Sequence, residues 1–98
     1  MNFREAVFMI LDEGQKLSGT EKFLVNEAVK SFIEDYVGVT GEEPQPLFGT
    51  LILIANRLQP LGFEMPRIDR WFEEDMPTIR KYAERQGIKR MGKEREGD

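Results

Sequence analysis

Apolar residues recur in steps of three and four along most of this chain, the spacing of helices that bury one face. Phe3, Ala6, Val7, Ile10 and Leu11 form the first such stripe. Asn2 and Glu5 stand in front of it at the spacing of a reciprocal N-terminal cap, and Gly14 is the expected stop. A second stripe runs through Leu24, Val25, Ala28, Val29, Phe32, Ile33 and Tyr36. It is opened by the capping pair Ser18 and Glu21, closed by Gly38, and backed by a polar face of Glu27, Lys30 and Glu34.

The third stretch organises the rest. From Pro44 to Asn56 there is no charged side chain, although 33% of the chain is charged. Leu47, Leu51, Ile54 and Leu58 repeat at helical spacing, with Phe48, Ile52 and Ala55 as a second stripe beside them. Thr50 to Ile54 would also suit a strand, but no partner strand exists elsewhere, so the pattern predicts a helix over 46–58 with Pro46 in its first turn. A helix apolar on most of its circumference belongs at the centre of a fold.

Beyond Gly62 the chain repeats itself: 64–74, EMPRIDRWFEE, aligns with 75–85, DMPTIRKYAER. Each unit opens on a proline, Pro66 or Pro77, that suits a first helical turn and would break a helix interior. Ile68, Trp71, Phe72, Met76, Ile79 and Ala83 nevertheless keep one apolar stripe, so two short helices with a break near Asp75 are expected. Gln86-Gly87-Ile88 reads as a helix ending, and 89–98 has almost nothing to bury. The pattern therefore predicts an all-α fold: one domain over 1–88, a compact bundle of four to five short helices around the 46–58 helix. Residues 89–98 are expected to form a disordered basic C-terminal tail.

Composition removes most chemistry. There is no cysteine and no histidine, hence no thiolate, no imidazole base and no common zinc ligand, and no metal or other cofactor is expected. The acidic clusters Asp12-Glu13, Glu42-Glu43 and Glu73-Glu74-Asp75 fall at helix ends and in loops, without the spacing of a paired-carboxylate site. No glycine-rich phosphate loop accompanies Gly49. A non-enzymatic role without a small-molecule substrate follows. Leu47–Ala55, the longest apolar run, is about half of what a membrane span needs. With no signal peptide in view, the expected setting is the cytoplasm, away from membranes.

Two surfaces remain as candidates. Phe8 and Met9 point away from the first stripe and Phe23 away from the second, more apolar surface than one face needs. For Phe8 and Met9 the favoured explanation is a small bundle that covers the first helix on several sides, and the sharper one is a partner surface. The three are the candidate protein-binding residues, for another protein or for a second copy in a homodimer. Small acidic helical chains of this composition are also common among phage and mobile-element accessory factors. The other candidate is nucleic acid. Ile54, Ala55, Leu58, Gly62, Phe63, Ile68 and Trp71 resemble the apolar skeleton of bacterial helix-turn-helix domains. That resemblance implies that the helix carrying Arg67 and Arg70 enters the major groove. Separately, the basic end, with Arg80, Lys81, Arg85, Lys89 and Arg90 and Tyr82 as the only aromatic among them, has the charge to follow a phosphate backbone. The chain departs from the family in two ways: Gln59-Pro60-Leu61 lengthens the turn, and 67–75 sets two arginines against four acids. Charge divides along the chain, with 7 basic and 14 acidic residues over 1–78 and 7 basic and 4 acidic over 79–98. Protein binding is the leading expectation and nucleic-acid binding the alternative.

Overall fold

The computed structural model describes residues 1–66, 68 and 82–85. Every regular element among them is helical: α1 (Phe3–Gly14), α2 (Gly19–Thr40), α3 (Phe48–Leu58) and a 3-10 turn (Gln59–Leu61) that continues α3. Residues 82–85 are also helical. The fold is all-α. The repeat over 64–85, the proposed break near Asp75, the 86–88 ending and the 89–98 tail lie largely outside the described residues.

Both predicted N-terminal caps form. The Asn2 side chain accepts the Glu5 N–H at 2.8 Å and the Glu5 carboxylate accepts the Asn2 N–H at 3.0 Å. Ser18 and Glu21 repeat the exchange at 3.2 and 2.9 Å. Two of the four N–H groups that a helix start leaves unpaired are satisfied each time.

The glycine stops differ from expectation. Gly14 is the last residue of α1, which is capped by extended Gln15, and it does not adopt a left-handed conformation. A side chain is excluded there because a Cβ would collide with the ring of Pro66, lying 2.9 Å from its Cδ. Gln15 Nε2 reinforces the approach by donating to the Glu64 carbonyl at 2.9 Å. Gly38 does not end α2 either. The helix runs two residues further, to Thr40, and the left-handed position falls on Gly41 with φ 82°. Its N–H reaches the Val37 carbonyl at 2.8 Å. Helix geometry tolerates a glycine inside, and Gly41 offers the better cap.

Helix α3 starts two residues later than the proline rule places it. Leu47, extended at φ -98° and ψ 158°, is the N-cap, and Pro46 stands outside the helix. The cap is built backwards: the hydroxyl of fully buried Thr50 accepts the Leu47 N–H at 3.2 Å and lies within reach of the Gln45 and Leu47 carbonyls. At the other end Gly62 is left-handed at φ 93°. Its N–H bonds Gln59 O, while the N–H of buried Phe63 bonds Leu58 O. This paired closure turns the chain and tucks Phe63 back into the core.

The core is assembled around α3. Leu51, Ile54 and Leu58 are wholly buried, Leu53 and Ala55 nearly so, and no residue of α3 is exposed. Leu53 was outside both expected stripes, whereas Ile52, which was inside one, is half-buried. Around the helix pack Phe3, Ala6, Val7, Ile10 and Leu11 from α1 and Val25, Val29, Phe32 and Tyr36 from α2. Leu24, the outermost position of the second stripe, is 39% exposed. Truncating Leu51 or Ile54 to alanine at such sites costs ~2–5 kcal/mol.

Candidate protein-docking groove

Helices α1 and α2 form an antiparallel hairpin: Phe3 stacks on Phe32 with ring centroids 5.2 Å apart, and the chain returns through 15–18. Each helix buries one face and keeps another. On α1 the second face carries Glu5, Phe8, Met9 and Asp12, and on α2 it carries Gly19, Lys22, Phe23 and Asn26. Both sets have the spacing i, i+3, i+4, i+7 of a single helical stripe. The stripes run side by side and, with Leu17, line an open groove of about 740 Å³.

The groove brings together Phe8, Met9 and Phe23, the three protein-binding candidates. Their exposure is unequal. Phe23 is 61% exposed, but Phe8 and Met9 are half-buried, and Phe8 packs against the core cluster. Phe8 therefore serves both core and groove, and Phe23 belongs to the surface.

The electrostatics of the groove are simple. Arg4 Nη1 donates to Asn26 Oδ1 at 2.5 Å and ties α1 to α2 at one end. Glu5 and Asp12 stand on the α1 wall and Lys22 on the α2 wall, and none of the three forms an ion pair among the described residues. The described lining residues include no hydroxyl, thiol or imidazole side chain. Of the acidic clusters, Asp12-Glu13 and Glu42-Glu43 are exposed, and Glu73-Glu74-Asp75 lies outside the described residues. No group of acidic side chains among the described residues could hold a metal ion, and no helix among them is long and apolar enough to cross a membrane.

The nucleic-acid candidates are placed less fully. Arg67, Arg70, Arg80, Lys81, Lys89 and Arg90 lie outside the described residues, as does most of the would-be recognition helix. Arg85 is exposed. Tyr82 corrects one expectation, because it is wholly buried and cannot stack on a base. It sits 5.5 Å from the Phe32 ring, edge to face, and 4.9 Å from Tyr36.

That aromatic cluster contains the polar contact the sequence reading missed. Arg57 Nη2 donates to Asp35 Oδ2 at 2.7 Å and to the Tyr82 hydroxyl at 3.2 Å, and the guanidinium lies 5.3 Å from the Phe32 ring centroid. Three contacts on one cation clamp α2, α3 and the 82–85 helix together. Burial pushes the Tyr82 phenol above its ordinary value of 10.0; the nearby Arg57 charge opposes the rise and Asp35 adds to it. The one available signal was a lone arginine on a helix otherwise apolar on most sides. Such a cation must find partners or stay wet.

No family model, no curated protein and no solved structure matches the chain.

Proposed function

We propose that this chain is a non-enzymatic interaction protein that docks a protein partner through the α1–α2 groove. The observation that carries the reading is Phe23. It is 61% exposed, yet it stands beside Phe8 and Met9 in one groove. A large aromatic held in water on the wall of an open groove costs solubility and adds little to the fold, and aromatic anchors of this kind dominate the energy of protein interfaces. The absence of histidine and cysteine from the whole chain supports a binding role over a catalytic one.

A photo-crosslinking amino acid placed at position 23, in cells that express the full chain, tests this directly. Leu61, 48% exposed on the 3-10 turn, is the control position. Adducts with protein are expected from position 23 and not from position 61. No adduct at 23, or equal labelling from both positions, would overturn the docking reading.

A further inference from the structure

We draw no further inference here: the strongest candidate, the open groove between α1 and α2 lined by Phe8, Met9 and Phe23, carries nothing beyond the docking reading above, because nothing in the structure shows what covers it.

Discussion

Arg57 shows how one side chain can hold three elements that pattern analysis treats separately. Its partners Asp35 and Tyr82 are 22 and 25 residues away, and it also covers the face of Phe32. Phe32 is itself wholly buried against Phe3, Tyr36 and Tyr82, so the guanidinium closes an aromatic core on its wet side. The raised pKa of Tyr82 has a consequence for stability. Folding holds the phenol proton more tightly than the unfolded chain does. The resulting stability is complete below 10.0 and is lost as pH rises through the folded-state pKa above it. Melting temperatures measured from neutral pH upward should therefore fall in that alkaline range, and the fall should be smaller in Tyr82→Phe. At neutral pH the same variant should be less stable by about 0.5–1.5 kcal/mol, the net worth of one hydrogen bond. Equal alkaline slopes in both proteins would place the titration elsewhere.

At the scale of elements, the glycines separate local rules from tertiary ones. The two capping boxes are encoded within four residues and form as read. Helix ends are encoded less locally. Gly14 is required by Pro66, and α2 passes over Gly38 to reach Gly41. The two glycines of α2 should consequently respond in opposite directions. Gly38 is exposed inside the helix and an added Cβ would meet nothing within 4 Å outside its own helix backbone, so Gly38→Ala should stabilise the protein by ~0.5–1 kcal/mol. At Gly41 the φ of 82° strains any Cβ, and Gly41→Ala should destabilise by ~1 kcal/mol or more. Chemical denaturation of the two variants reads both signs. If Gly38→Ala destabilised instead, α2 would have to stop where the sequence alone suggested.

For the whole molecule, the apolar residues fall into two sets with different work. One set surrounds α3, and the charge-poor run from Pro44 to Asn56 marked it from the sequence because hydrophobic burial follows composition over a dozen residues. The other set, Phe8, Met9 and Phe23, was legible only as three residues off their stripes. That they share one groove depends on how the hairpin closes, which no local pattern encodes. Nor could periodicity tell that Phe8 is shared between groove and core, since that depends on tertiary packing. The Arg57 clamp was hidden for the same reason, its partners being distant in the chain. Composition carries more weight than any motif in the sequence: the chain has neither histidine nor cysteine, and Phe23, the one large exposed aromatic among the described residues, lines the groove on which the proposed docking role rests.

The division between the two sets is the claim on which the rest depends, and urea unfolding of Leu51→Ala beside Phe23→Ala measures it. Leu51→Ala should lose ~2–5 kcal/mol and Phe23→Ala no more than about 0.5 kcal/mol, the ordinary range for a surface change. Comparable losses in the two variants would make Phe23 part of the fold, and the groove would then have no residue set aside for a partner.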